Sequence, residues 1–163
     1  MMNPIAFQVE KDIKNAAVGD DFVRVHLVGG KESALVRHDP PVGGVSRTLE
    51  VGRGGMEDDG TRRSLVLLLR KIIFCAKAHA VSKLLVAIPE LSFRKVRLSE
   101  QELAELLAIH FEMANFEFVK YKTPPSEGWK TVTDAVITGR DMRNIKAGIE
   151  RGQIIGGEVN ACR

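Results

Sequence analysis

The chain has 163 residues, of which 44% are hydrophobic and 28% are charged, proportions that are typical of a globular protein and exclude a disordered one. A domain of this length buries about 68–70% of its unfolded surface, so its folding requires neither a disulfide nor a metal ion. The net charge of +3 is compatible with a nucleic-acid partner but does not argue strongly for one.

The spacing of the cysteines and the length of the apolar stretches predict where in the cell the protein lies. Cys75 and Cys162 lie far apart and form no paired spacing, so we predict two reduced thiols in a cytoplasmic protein. The most apolar stretch, residues 65–80, is interrupted by basic side chains at positions 70, 71, 77 and 79, whereas a membrane span needs about 20 mostly apolar residues. The first residues lack the pattern of a secretory signal. We therefore expect no membrane partner.

The first third of the chain has the pattern of a β-sheet. Strands are predicted at residues 5–9, 22–28, 33–37 and 47–51. The third of these is predicted to pair back on the second as a hairpin across Gly29 and Gly30. Residues 39–44 contain two prolines and glycines at positions 43 and 44, which predicts a loop.

The rest of the chain alternates between helices and strands. Apolar residues recur every three or four positions over 62–80, which predicts a helix, and Leu67, Ile73 and Phe74 widen its apolar stripe, so we expect burial over much of its circumference. Ser99 and Glu102 have the spacing of a capping box that opens a helix to about residue 115. Strands are predicted at 83–88 and 131–138, and a last helix from residue 144 to the end.

The last helix carries Gly148, Gly152 and Gly156 on one face, although each glycine costs about 1 kcal/mol relative to alanine in a helix. Close approach to a sheet or a neighbouring helix is the favoured interpretation, and a hinge into a further domain is a compatible alternative. The order of elements predicts an α/β fold, with helices on both faces of one mixed sheet.

Two local features suggest phosphate or acid–base chemistry. Residues 51–55 form a glycine-rich turn between a strand and a helix, where phosphate loops occur. The pattern departs from G-x-G-x-x-G because Glu57 stands at the sixth position, and Asp58 and Asp59 would repel a phosphate. A plain tight turn is favoured over a phosphate site, and the three carboxylates are interpreted as acidic residues at a helix N-terminus.

The remaining candidates form no catalytic pattern. His26, His38, His79 and His110 are scattered without metal-ligand spacing, and Ser46 lacks a nucleophile elbow. Basic residues gather at 93–97, including Arg94 and Lys95, and at Arg62–Arg63 with Arg70–Lys71; a solvated face is favoured over a nucleic-acid groove. We therefore predict no catalytic, cofactor-binding or metal-ligating residue in this chain.

Three motifs in the chain resemble those of one known protein family. Residues 114–123 resemble a pattern in which a helix ends in alanine and is followed by an aromatic, Phe and Tyr-Lys-Thr. The glycine-rich strand end at 51–54, followed by acidic residues and Leu69-Arg70-Lys71, is similar to the same family, as is the final helix ending at 156–163. These motifs resemble the N-terminal domain of the leucine aminopeptidase (cytosol aminopeptidase) family over residues 45–163, whereas residues 1–44 depart from it.

The resemblance implies a three-layer domain similar to macro domains, with residues 1–163 forming a single N-terminal auxiliary domain. The parent would be a hexameric exopeptidase with two divalent ions, zinc or manganese, that activate a bridging water. The resemblance places the metal ligands in a catalytic domain after Arg163, and Lys122 is not one of them. The implied partners are that catalytic domain and other subunits; some bacterial relatives bind DNA. The alternative is a self-standing macro-like module for a nucleotide or nucleic acid.

Overall fold

The computed structural model describes residues 3–12, 18–42 and 44–163, with the backbone alone over residues 38–42. The described residues form strands β1 Ala6–Glu10, β2 Val23–Val28, β3 Ala34–Val42, β4 Val45–Gly52, β5 Lys83–Ala87 and β6 Asp134–Thr138. They also form helices α1 Met56–Asp59, α2 Arg62–Ala78, α3 Glu100–Asn115 and α4 Met142–Ala161, and a 3₁₀ turn at Ile88–Leu91.

The strands form one sheet in the order β1-β6-β5-β2-β4-β3. Every pairing is parallel except that of β3 with β4, so the predicted mixed sheet is confirmed. The predicted partner of β3 was wrong, because β3 pairs with β4 and not with β2. Both sides of β2 are already occupied, by β4 and β5, and β3 therefore lies on the open side of β4.

Strand β3 also continues through part of the segment that was predicted to be a loop. Its backbone remains extended through Pro40 and Pro41 to Val42, with a shift of register between Arg37 and Val42. Proline removes a ladder donor, but an edge strand tolerates this loss where the N–H would face outward. Gly43, in the same predicted loop, lies outside the described residues.

Helix α2 confirms the periodic pattern but not the expected burial around its circumference. Ile73 is fully buried, whereas Leu67 is 55% exposed and Phe74 is 56% exposed. The sheet and α3 bury one side of α2, and residues 67 and 74, two helical turns apart, lie on the other side. The expectation that Leu67 and Phe74 extend the buried stripe was therefore wrong.

Helix α3 begins at a capping box and packs closely against α4. The predicted capping box is confirmed, since Glu102 N donates to Ser99 Oγ at 3.1 Å and Ser99 N donates to Glu102 Oε2 at 2.8 Å. Close approach at the glycine face of α4 is also confirmed. A Cβ added at Gly152 would meet the carbonyl of Glu105 and would lie 2.7 Å from Ala108 Cβ.

The two faces of the sheet are covered unequally. Val25 and Leu27 of β2 belong to the large buried cluster that also contains apolar residues of α2, α3 and α4. The opposite face holds a smaller cluster of Val45, Leu85 and Val136, against which Val18 and Phe22 pack. The predicted α/β class is thus confirmed as a six-stranded mixed sheet flanked by helices, consistent with a three-layer α/β domain.

Candidate functional site

The glycine-rich turn after β4 uses its backbone amides inside the protein. Arg53 N donates to Val28 O at 2.9 Å and Gly54 N donates to Gly30 O at 2.8 Å, which ties the turn to the one after β2. A side chain at Gly52 would lie 2.6 Å from Gly30 O, so this position requires glycine. Two of the amides that a phosphate would need are therefore already engaged, which favours the interpretation as a tight turn.

A lysine from α2 supports the same turn from beneath. Lys71 Nζ donates to Gly52 O at 2.7 Å and to Lys31 O at 2.9 Å. Its ammonium group thereby satisfies carbonyls at the ends of two loops. Lys71 belongs to the basic residues that the sequence predicts to face solvent, but in the structure its ammonium group is bonded to two backbone carbonyls.

The acidic residues at 57–59 form the short helix α1 and are paired with basic residues on two sides. Glu57 Oε1 lies 3.1 Å from Arg53 Nη2, and Asp59 Oδ1 lies 3.6 Å from Lys95 Nζ. Both carboxylates are exposed. Ion pairs between exposed side chains contribute little to stability. This arrangement favours the interpretation of the three carboxylates as ordinary acidic residues at a helix N-terminus.

A polar cluster on the sheet face opposite the long helices was not predicted from the sequence. Glu90 lies in the 3₁₀ turn. Its Oε1 atom is 2.7 Å from His26 Nδ1, within hydrogen-bond distance, and 3.6 Å from Arg24 Nη2. Sixty-four residues separate Glu90 from His26 in the sequence. Only the pairing of β2 with β5 brings the two positions together, and no local motif signals that pairing.

The other histidines lie apart from this cluster. His110 Nδ1 accepts a hydrogen bond from Arg70 Nε at 3.2 Å. Burial, and then the charges of Arg70 and Arg62, lower the pKa of His110 to about 4, so the ring is neutral near pH 7. His79 is exposed at the end of α2, and the side chain of His38 lies outside the described residues.

The basic segment between the 3₁₀ turn and α3 is exposed. Arg94, Lys95 and Arg97 face solvent, whereas Phe93 is buried and anchors the segment through a bridge to Val96. The segment lines an open depression with Ser92 and Ser99 among its walls. Its aromatic side chain therefore points into the core and is not available to stack on a base.

The described parts of the chain contain neither a metal-ligand cluster nor a helix that could span a membrane. Among residues 3–12, 18–42 and 44–163, no three His, Cys, Asp or Glu side chains come together as a metal site. Cys75 and Cys162 are both free, and Cys75 Sγ donates to Ser33 Oγ at 3.3 Å. No described helix has the length and apolar content to cross a membrane.

Large apolar side chains are exposed on α2 and on the segment that follows α3. Leu67 and Phe74 project from α2, and Phe118 and Tyr121, in the segment after α3, lie 6.1 Å apart between ring centroids. An ion pair of 2.6 Å between Lys77 and Glu117 fixes the start of that segment against the end of α2. Clustered exposure of this kind is typical of a surface that contacts another protein.

Comparison with known proteins gives a match in structure. No protein-family model matches the sequence, and no curated protein matches it. A solved structure of a mutant tomato leucine aminopeptidase has a similar fold, with a TM-score of 0.70 and 15% sequence identity. The alignment covers 98% of this chain but only 38% of the aminopeptidase chain, so the domain spans less than half the length of that protein.

Proposed function

We propose that this chain is the non-catalytic N-terminal domain of a metal-dependent leucyl aminopeptidase, in which it packs on a catalytic domain and contacts other subunits. The observation that carries the proposal is the fold match, which covers 98% of this chain and 38% of an aminopeptidase. The motif order at residues 51–71, 114–123 and 156–163 supports the same relation. A cytoplasmic location belongs to the proposal and is compatible with two free thiols.

The exposed apolar surface of α2 supports a packing role. Leu67 and Phe74 are apolar, yet they are 55% and 56% exposed, whereas Leu68 and Ile73, which adjoin them in the same helix, are buried. Complete burial of a fully exposed side chain of this kind contributes about 1.5–3 kcal/mol, and roughly half of that remains to be gained for Leu67 and Phe74, which are already partly buried. In this proposal the catalytic domain covers Leu67 and Phe74.

The chemistry of the parent enzyme would come from the other domain. Two divalent ions, zinc or manganese, would activate a water molecule and polarise the scissile carbonyl there. In this proposal the residues of this chain hold neither ion and contact no substrate. Their contribution to the reaction is to stabilise and assemble the catalytic domain.

The test is to read the coding sequence beyond codon 163 and to assay the whole product. We expect a second domain rich in Asp, Glu and Lys, and hydrolysis of a leucyl-anilide substrate that requires manganese or zinc and is lost on chelation. The 163-residue chain alone should be inactive under the same conditions. A stop codon directly after Arg163, or metal-dependent activity in the isolated chain, would overturn the proposal.

The exposed segment with Arg94, Lys95 and Arg97 favours a second candidate, a macro-like module that binds a nucleic acid or nucleotide. Such a module should bind DNA with an affinity that falls steeply as salt rises, or form a measurable complex with ADP-ribose. Arg94→Ala and Lys95→Ala should weaken DNA binding, whereas Lys130→Ala, a charge change elsewhere on the surface, should not. Absence of both complexes would remove this candidate.

A further inference from the structure

The two edges of the sheet differ in how they meet solvent. At one edge, β3 carries Pro40 and Pro41 and a shift of register, features that block the addition of another strand. At the other edge, β1 has the sequence Ala-Phe-Gln-Val-Glu, with neither proline nor lysine. Among the described residues no strand lies beyond β1. The β1 edge is therefore open to pairing at Phe7 and Val9, whereas the backbone of Ile5, just before the strand, is already bonded to Glu112 and Gln153.

The hydrogen bonds between β1 and β6 define which backbone groups face outward. Ala6 N donates to Thr133 O at 2.9 Å, and Glu10 O accepts from Gly139 N at 3.3 Å. In a parallel ladder alternate residues direct both backbone groups to the same neighbour, so positions 6, 8 and 10 pair with β6. The N–H and C=O groups of Phe7 and Val9 consequently point away from the sheet.

Helix α4 runs alongside this edge and leaves a groove. Phe7 and Val9 line the groove from the strand, and Met142, Arg143, Lys146 and Glu150 line it from the helix. Met142 is 40% exposed, although its side chain is apolar. The groove thus combines unpaired backbone groups with a half-open apolar wall, the two features of a β-strand addition site.

We propose that the β1 edge and the adjoining face of α4 form an interface with a second copy of this chain, in which the two β1 strands pair antiparallel about a two-fold axis through Gln8. Phe7 of one copy then lies opposite Val9 of the other, and each such pair exchanges both of its backbone hydrogen bonds. The pairing joins two sheets into one and places both α4 helices on the same side.

The charges on α4 are complementary under the same symmetry. Gln153 Nε2 donates to Ile5 O at 2.8 Å, so this part of α4 lies beside the start of β1, while the helix begins beside its end. Gln8 is therefore level with the middle of the stretch from 142 to 153. The two-fold axis places exposed Arg143 of one copy opposite exposed Glu150 of the other.

Lys146 lies near that axis, where the two copies bring like charges together. Its ammonium group is exposed and lines the groove. Lys146→Gln is therefore expected to strengthen the dimer, whereas the same change at Lys130, which is exposed and does not line the groove, should leave it unaltered. This interface does not depend on the presence of a catalytic domain.

Sedimentation velocity of the 163-residue chain over a concentration series tests the proposal. We expect a reversible dimer, weakened at least about tenfold by Val9→Pro, which removes an outward N–H without breaking a bond to β6. Val9→Thr keeps the N–H and is the matched control that should retain the dimer. Circular dichroism establishes that each variant is folded.

A charge exchange provides the second, independent readout. Arg143→Glu alone and Glu150→Arg alone should each be mainly monomeric, because each places like charges across the axis. An equimolar mixture of the two variants should recover the dimer, since both cross-copy pairs become opposite in sign. A monomer at every concentration, or a dimer indifferent to Val9→Pro and to both charge variants, would overturn the proposed interface.

Discussion

The backbone amide of Ile5 donates a hydrogen bond of 2.9 Å to Oε1 of Glu112, a residue 107 positions away in α3. The same carboxylate oxygen accepts from Gln153 Nε2 of α4 at 3.1 Å. One side chain therefore ties the start of the edge strand to two helices. Burial raises the pKa of Glu112 above its ordinary value of 4.5, and the bonds from Gln153 and Ile5 oppose that shift.

The raised pKa predicts how this contact responds to pH. The stability that Glu112 contributes is complete below pH 4.5 and is lost as the pH rises through its higher pKa in the folded protein. Glu112→Gln retains an oxygen for the Ile5 amide and should remove this component of the pH dependence. Urea unfolding from acidic to neutral pH measures it, and parallel profiles for the two proteins would contradict the prediction.

A matched variant isolates the hydrogen bond from the charge. Glu112→Leu leaves the buried Ile5 amide without its acceptor and should cost about 1–3 kcal/mol of unfolding free energy. Because Glu112 is only 7% exposed, water does not readily replace the lost partner. Equal stability of the Leu and Gln variants at neutral pH would show that the bond contributes nothing.

The glycine face of α4 gives a second prediction. Gly152→Ala places a methyl group against the Glu105 carbonyl and Ala108 of α3, and should destabilise the protein by about 1–3 kcal/mol. Gly157 is in the same helix, but an added Cβ there meets nothing within 4 Å. Gly157→Ala should instead stabilise by up to about 1 kcal/mol. Thermal unfolding of the two variants compares these opposite signs.

Several parts of this fold followed from local patterns in the sequence. The capping box at Ser99 and the four-residue spacing of the glycines in α4 were predictable because each depends on residues within one helix. The pairing partner of β3 was not predictable in this way. The turn residues between β2 and β3 are the same whether β3 folds back on β2 or lies beside β4. The prediction that α2 is buried over much of its circumference was wrong for a similar reason. The spacing of apolar residues does not show how much of the helix surface other elements cover.

The polar contacts depend still more on tertiary structure. Glu90 meets His26 across 64 residues, and Asn115 holds both backbone groups of Val132 at 2.8 Å. The second contact explains why β6 begins at Asp134 and not near residue 131. Val132 satisfies its backbone with a side chain of α3, so the segment before β6 needs no strand partner.

His110 gives an acid-linked prediction. Its pKa in the folded protein is about 4 against an ordinary 6.5, so the stability it contributes is present above pH 6.5 and is lost as the pH falls towards 4. His110→Asn retains an acceptor for Arg70 and should reduce the loss between neutral pH and about pH 5. His79→Asn, at an exposed position, is the control. Urea midpoints at the two pH values decide the outcome.

Two neighbouring residues of α2, one buried and one exposed, give a prediction about core packing. Ile73 is fully buried, so Ile73→Ala should cost about 2–5 kcal/mol in the 163-residue chain. Phe74 is 56% exposed, so Phe74→Ala should cost this chain far less. Differential scanning calorimetry of both variants measures the contrast.

The same Phe74 variant also tests the proposed packing of a catalytic domain on α2. If a second domain covers Phe74, then Phe74→Ala removes buried apolar area only in the intact protein, and the loss should appear as a lower unfolding temperature there. Glu105, on α3, is partly exposed and carries no such apolar area, so Glu105→Ala is a suitable comparison. A Phe74→Ala change of equal size in the intact protein and the 163-residue chain would mean that α2 remains exposed, and the catalytic domain would have to pack elsewhere.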